Sequence, residues 1–141
     1  MTLNEWKAQG HYFSYKKHQI FVNESGTGSP LLLIHGFPTA SWDWYRMWPE
    51  LSKKFHLIAA DFLGFGFSDK PRNYPYSILD QADLLEALLK EKGITHVHII
   101  SHDYGDTVAQ ELLARFHERT QKGETGVEIR SLCLLNGGLF P

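Results

Sequence analysis

The segment Ile99-Ile100-Ser101-His102-Asp103-Tyr104-Gly105-Asp106 puts a carboxylate where an apolar run gives way to a helical pattern. The run His96-Val97-His98-Ile99-Ile100 reads as a strand, and Val108, Ala109, Leu112, Leu113 and Phe116 follow it at helical spacing. Between them, the order small-x-acid-x-Gly has the form of a sharp strand-to-helix turn, in which small residues let the backbone bend tightly enough to push one side chain out above a sheet. Asp103 occupies that apex. A hydroxyl there suits attack on a carbonyl, whereas a carboxylate suits displacement at a saturated carbon bearing a leaving group, and leaves an ester on the protein. The helix N-terminus keeps such a carboxylate charged through its dipole and free N–H groups. The competing reading is an ordinary turn or N-cap aspartate.

Other groups that could do chemistry have plainer readings. Asp106 lies in the first helical turn, where acids are favoured by the dipole. His102 precedes the apex and is expected to point away from it, and His35 reads as a residue that orients a loop. His96 and His98 alternate along one strand without a third ligand nearby, so packing or edge exposure is expected rather than a metal site. Gly64-x-Gly66 follows a strand ending at Asp61, yet the third glycine of a dinucleotide fingerprint is absent and Pro71 and Pro75 stand where a helix should open. No cofactor is expected. Cys133 is the single cysteine; it excludes an internal disulfide and, within the apolar run Leu132-Cys133-Leu134-Leu135, is expected to pack as a small hydrophobe.

These groups need elements to hold them. Tyr12–Tyr15 and Gln19–Val22 flank a polar turn and read as a hairpin. Leu31-Leu32-Leu33-Ile34 and His56-Leu57-Ile58-Ala59-Ala60-Asp61 are continuous apolar runs, the pattern of strands covered on both faces. A loop from His35 to Ala40 follows the first run, then an aromatic helix from about Ser41, with Pro49 marking a break or restart. The glycine-rich loop Phe62–Ser68 follows the second run. Ser77 and Asp80 have capping-box spacing, and Ile78, Ala82, Leu85 and Leu89 form one apolar face of a helix to about Lys92, stopped by Gly93. Val127–Leu135 gives the last strand. Strands alternating with helices imply an α/β fold with a mostly parallel sheet covered on both faces and ligands at the carboxyl ends of its strands. His35–Pro38, Asp61–Ser68 and Ser101–Gly105 each follow a strand directly, so all three are expected to converge on one crevice.

The 141 residues, 43% of them hydrophobic, are enough for one domain with a real core, and there is no repeat or linker to divide them. Fourteen Lys and Arg against sixteen Asp and Glu give a net charge of −2 without a block of one sign, which argues against a nucleic-acid or anionic-membrane partner and for a small-molecule substrate. The first residues lack a basic segment leading into an apolar one, and no apolar run reaches membrane-spanning length, so a cytoplasmic location is expected. No feature sets an oligomeric state.

From about Tyr12 onward the sequence resembles the α/β-hydrolase fold family, in the branch containing epoxide hydrolases and haloalkane dehalogenases. His35-Gly36-Phe37-Pro38 is similar to that family's oxyanion loop, Asp61-Phe62-Leu63-Gly64-Phe65-Gly66-Phe67-Ser68-Asp69-Lys70-Pro71 to its loop after the next strand, and His102-Asp103-Tyr104-Gly105 to its nucleophile elbow. The second loop, Ser101–Asp106 and Asn136-Gly137-Gly138-Leu139-Phe140-Pro141 most resemble the mesoderm-specific-transcript-like members. The resemblance implies that Asp103 is the nucleophile and that the backbone N–H groups of Phe37 and Tyr104 form an oxyanion hole. Those donors matter when water attacks the ester carbonyl and charge collects on oxygen. Phe37, Pro38 and Tyr104 are then expected to contact substrate, together with Trp44 from the aromatic group Trp42, Trp44, Tyr45 and Trp48, most of which reads as core. The family's general-base histidine, its orienting acid and its lid lie beyond the point where this chain stops. Residues 1–141 are therefore expected to be an incomplete domain, inactive alone. Dehalogenases often carry Asn and Trp where Phe37 and Tyr104 stand, supplying side-chain donors to a departing halide; the Phe37 ring has none, so epoxide hydrolysis is favoured over dehalogenation. A non-catalytic member that uses the crevice for binding is the alternative from another class.

Overall fold

A computed structural model describes residues 1–137, which leaves Gly138–Pro141 of the terminal motif outside the described residues. A six-stranded sheet has β1 (His11–Tyr15), β2 (His18–Ser25), β3 (Ser29–Ile34), β4 (Phe55–Ala60), β5 (His96–His102) and β6 (Glu128–Leu135) in the order β1-β2-β4-β3-β5-β6. β4, β3, β5 and β6 run parallel, while β1 pairs antiparallel with β2 and β2 with β4. Lys16 and Lys17 link β1 to β2 with φ of 46° and 69°, the positive pair that a two-residue turn needs to follow the strand twist.

The apolar runs sort onto two faces because successive strand residues point to opposite sides. Leu32 and Ile34 join Leu84, Leu85 and Leu88 of α3 (Ile78–Glu91) and Val108, Ala109 and Leu112 of α4 (Tyr104–Lys122) in one core. Leu31 and Leu33 pack on the other face with Trp6 of α1 (Leu3–Gln9), Trp44 of a 3₁₀ turn (Ser41–Trp44) and Trp48 of α2 (Trp48–Leu51). The α/β architecture, its parallel sheet and the covering of both faces agree with the sequence reading. Among the described residues no helix is long and apolar enough to cross a membrane.

Local details differ from expectation. The sequence reading omitted α1, although Thr2 and Glu5 make a reciprocal capping box at its start. The aromatic stretch is not one helix: four residues of 3₁₀ turn are followed by a four-residue α-helix that begins at Trp48-Pro49, since proline fits a first turn and not an interior. Only half of the capping box at Ser77 forms. Its hydroxyl accepts the Asp80 N–H at 3.0 Å, but the Asp80 carboxylate turns to the Tyr15 hydroxyl (2.7 Å), the Lys16 ammonium (2.7 Å) and the Tyr74 hydroxyl. Cys133 is exposed, correcting its assignment to the core, because β6 is the outermost strand of the described sheet.

Candidate active site

β5 ends at His102 and α4 begins at Tyr104, so Asp103 alone makes the turn, with φ 53° and ψ −120°. A non-glycine residue there stores strain of about 1–3 kcal/mol, which the surroundings must hold in place. The Asp103 N–H donates to the Leu135 carbonyl of β6 at 3.1 Å, and the Asp103 carbonyl accepts from the Asp106 N–H at 2.9 Å. Gly105 lets α4 settle against β3: a Cβ there would stand 2.7 Å from the Ile34 carbonyl oxygen and 2.9 Å from its Cγ2.

Asp103 stands at the N-cap position of α4, but its side chain makes no N-cap hydrogen bond. Instead Oδ1 accepts the Phe37 backbone N–H at 2.9 Å. That bond first, and a second from the Tyr104 backbone N–H, hold the carboxyl below its usual range. The structure thus brings Asp103 and the backbone of Phe37 and Tyr104 together. Gly36 makes the approach possible: a Cβ on it would lie 2.7 Å from Asp103 Cβ and 3.0 Å from both His102 Nδ1 and the His102 carbonyl. The His102 ring therefore lies against the loop after β3.

His35, fully buried, ties two loops together. Its Nε2 accepts the Phe62 N–H at 3.0 Å and its Nδ1 lies 2.8 Å from the Gly36 carbonyl. An amide can only donate, so these partners assign the proton to Nδ1 and leave the ring neutral. Burial pushes its pKa down in the same direction. With both nitrogens engaged it orients the loops, as its sequence position suggested.

The loop after β4, which the sequence places at the crevice, is held by Asp61, a residue to which sequence reasoning gave no role of its own. Asp61, buried, accepts the Ser41 N–H on Oδ1 and the Phe67 N–H on Oδ2, both at 2.7 Å, while its carbonyl accepts from the Ser68 hydroxyl at 2.6 Å. The loop so folded carries Phe65, also missed, between Tyr104 (ring centroids 5.9 Å) and Phe37 (6.0 Å). Phe37 is 65% exposed, and the three rings form an aromatic wall beside Asp103. A strand-terminal Asp followed by Gly-Phe-Gly was the available signal for both residues.

One expected substrate contact lies elsewhere. Trp44 is buried among Leu31, Leu33 and Trp48 on the α1 side of the sheet, because its position in the 3₁₀ turn directs the ring into that core; it is not retained as a pocket residue. Pro38 borders a separate cavity of about 390 Å³ with Leu3, Trp6 and Trp42. His96 and His98 sit on β5, where the His98 Nδ1 and the Ser131 hydroxyl are 2.6 Å apart.

A family model described as alpha/beta hydrolase fold matches residues 29–123. The chain is 53% identical over 147 aligned residues to the mesoderm-specific transcript homolog protein of Bos taurus, covering 99% of this chain and 43% of that protein. It is 36% identical over 85 residues to a haloalkane dehalogenase of Bradyrhizobium diazoefficiens, covering 60% of this chain and 27% of that protein. The crystal structure of an alpha/beta hydrolase fold protein from Burkholderia ambifaria superposes with a TM-score of 0.77 at 30% identity, over 93% of this chain and 45% of that one. The chain spans under half the length of these relatives. It belongs to the alpha/beta hydrolase fold family.

Proposed function

We propose, from membership of that family and the geometry at the elbow, that the complete protein is a hydrolase that opens a small apolar epoxide through an ester on Asp103. One observation carries this reading: the carboxylate at the strained apex faces the Phe37 N–H at 2.9 Å, so an acid occupies the nucleophile's place beside a ready oxyanion donor.

In the first step an ionised Asp103 oxygen attacks an epoxide carbon from behind its C–O bond. That bond breaks, and its electron pair goes to the epoxide oxygen, which takes a proton from an acid supplied outside this chain. In the second step a water oxygen attacks the ester carbonyl while a general base removes its proton. Negative charge then collects on the carbonyl oxygen, where the Phe37 and Tyr104 N–H groups can donate to it. Collapse expels the alcohol oxygen, which is reprotonated, so the sum is epoxide plus water to diol. The low carboxyl pKa keeps Asp103 ionised at neutral pH. The aromatic wall of Phe37, Phe65 and Tyr104 favours an apolar substituent.

A haloalkane substrate is the second reading, favoured by the likeness to the Bradyrhizobium diazoefficiens enzyme. Against it, Phe37 brings no side-chain donor to a departing halide, whereas an epoxide oxygen leaves attached to the product and needs only a proton. Hydrolysis of terminal epoxides and of chloroalkanes by the complete protein separates the two. A higher kcat/KM on epoxides, abolished by Asp103→Ala, is expected; equal or better turnover of the chloroalkanes reverses the order, and turnover that survives Asp103→Ala removes the reading altogether.

A further inference from the structure

The helix α1 lies ahead of the residues that match the family model, and the reaction above gives it no part. Seven residues are too few for a helix to stand by itself in water, so its place is set by what it packs on. Its buried residue is Trp6. The indole meets Trp48 edge-on at 4.7 Å and Trp42 at 5.7 Å, and the Trp6 carbonyl accepts the Asn23 side-chain amide at 3.0 Å. One residue on, the Lys7 ammonium stands 4.9 Å from the centre of the Phe67 ring. Trp42 belongs to the 3₁₀ turn that follows the loop after β3, and Phe67 to the loop after β4. The helix thus ties from outside the same two segments that Asp61 joins from within, through the Ser41 N–H on Oδ1 and the Phe67 N–H on Oδ2.

Phe65 and Phe67 flank Gly66 and leave the chain on opposite sides. Phe65 packs against the core that holds α3 and α4, and reaches Tyr104 and Phe37. Phe67 packs against the core that holds Trp6 of α1, edge-on to Phe21 at 5.2 Å. Gly66 makes the turn between them with φ 50°, and a Cβ on it would stand 2.8 Å from Ala40 Cβ. The Phe65 carbonyl accepts the Ser68 N–H at 3.0 Å, which closes the turn around Gly66 and Phe67. A turn closed in this way moves as a unit, so a displacement of Phe67 carries Phe65 with it.

We infer that α1 braces the substrate crevice: with Trp6 as its anchor, Lys7 is a positioning residue that holds Phe67 on one side of Gly66 and thereby fixes Phe65 in the aromatic wall on the other. Lys7 touches no reacting atom. It acts on how an apolar substituent of the substrate fits the wall, and leaves the Asp103 carboxylate and its backbone donors as they are. The inference rests on the epoxide reading of the site. A cation over an aromatic face at an exposed position is a weak contact, so its loss is worth about two- to fivefold in the fit of that substituent.

The test is steady-state hydrolysis of two terminal epoxides by the complete protein: phenyloxirane, which offers a ring to the wall, and methyloxirane, which offers a single methyl group. In Lys7→Met the KM for phenyloxirane is expected to rise about two- to fivefold with kcat held, while the KM for methyloxirane stays at the wild-type value. Phe67→Leu is expected to raise the phenyloxirane KM at least as much, and adding Lys7→Met to it should raise it no further, since both changes remove the same contact. Lys7→Arg, which keeps a cation over the ring, is expected to keep the wild-type KM. A phenyloxirane KM unmoved in Lys7→Met overturns the inference, as does an equal fall of kcat on both epoxides with KM unchanged, the mark of a smaller folded fraction. If the wild type hydrolyses neither epoxide, the proposed function fails and the inference falls with it. Hydrolysis of both with KM values that ignore Lys7 strikes the inference alone.

Discussion

Replacing Gly36 by alanine tests the contact between the loop after β3 and the elbow. The added Cβ would sit 2.7 Å from Asp103 Cβ and 3.0 Å from the His102 carbonyl, which is backbone and cannot swing aside. Two carbons are comfortable at roughly 3.5 Å, so the loop must retreat by about 0.8 Å. The Phe37 N–H to Asp103 Oδ1 bond is 2.9 Å long, and the same retreat stretches it to about 3.7 Å, beyond hydrogen-bonding range. Losing one oxyanion donor costs about 2.7–4 kcal/mol of transition-state stabilisation, or about 10²–10³ in the rate of the step it serves. Decay of the ester is therefore expected to slow by that factor in Gly36→Ala of the complete protein. The Asp103 carboxyl should also lose the largest of the interactions that depress its pKa. Stopped-flow and quench measurements of adduct decay, with a thermal melt to show that the variant is folded, read both effects. Wild-type decay in a folded Gly36→Ala protein would refute the claim that Phe37 donates to the carbonyl oxygen.

Three further outcomes are expected. Because two backbone N–H groups hold the Asp103 pKa below its usual range, alkylation should stay at its neutral-pH rate as the pH falls through the ordinary aspartate range and decline only below it, as a single-turnover pH profile will show. Asp80 is also depressed: burial opposes ionisation, but the bonds from Lys16, Tyr74 and Tyr15 outweigh it. Its folded pKa lies below its unfolded one, so its contribution is present above the unfolded value and is lost as the pH falls through the folded one. Asp80→Asn should cost about 1–3 kcal/mol at pH 7 by chemical denaturation and less at acid pH, while an undiminished cost in acid would show that the charge is irrelevant. Trp6→Ala removes a fully buried ring that meets Trp48 edge-on at 4.7 Å, and about 3–5 kcal/mol of stability should go with it, measured by the same denaturation.

The elbow was legible because its requirements are local: a small residue, an acid and a glycine between a strand pattern and a helical one. The sheet was legible for a similar reason, since Leu31–Ile34 and His56–Asp61 are apolar on both faces and only a covered parallel strand accepts that. What the sequence hid depends on partners distant along the chain. Asp80 has the spacing of a capping residue, but the Tyr15 and Lys16 groups that capture it lie on another element. Trp44 and Phe65 are both aromatic residues in segments that follow a strand; only the 3₁₀ turn and the Asp61 bonds decide that the first enters a core and the second reaches Tyr104. Asp106 fits a dipole argument from its position alone, and its burial against Ser101 and Gly137 follows from how β6 ends.

A single turnover of the complete protein in heavy-oxygen water tests Asp103 as the nucleophile most directly. Attack by the carboxylate puts an enzyme oxygen into the first product, and water then attacks the acyl carbon and leaves its own oxygen on the side chain. The first diol should therefore be unlabelled, and the peptide containing Asp103 should gain one heavy oxygen. A labelled first diol with an unlabelled Asp103 peptide would mean that water attacks the substrate directly, and Asp103 would not be the nucleophile.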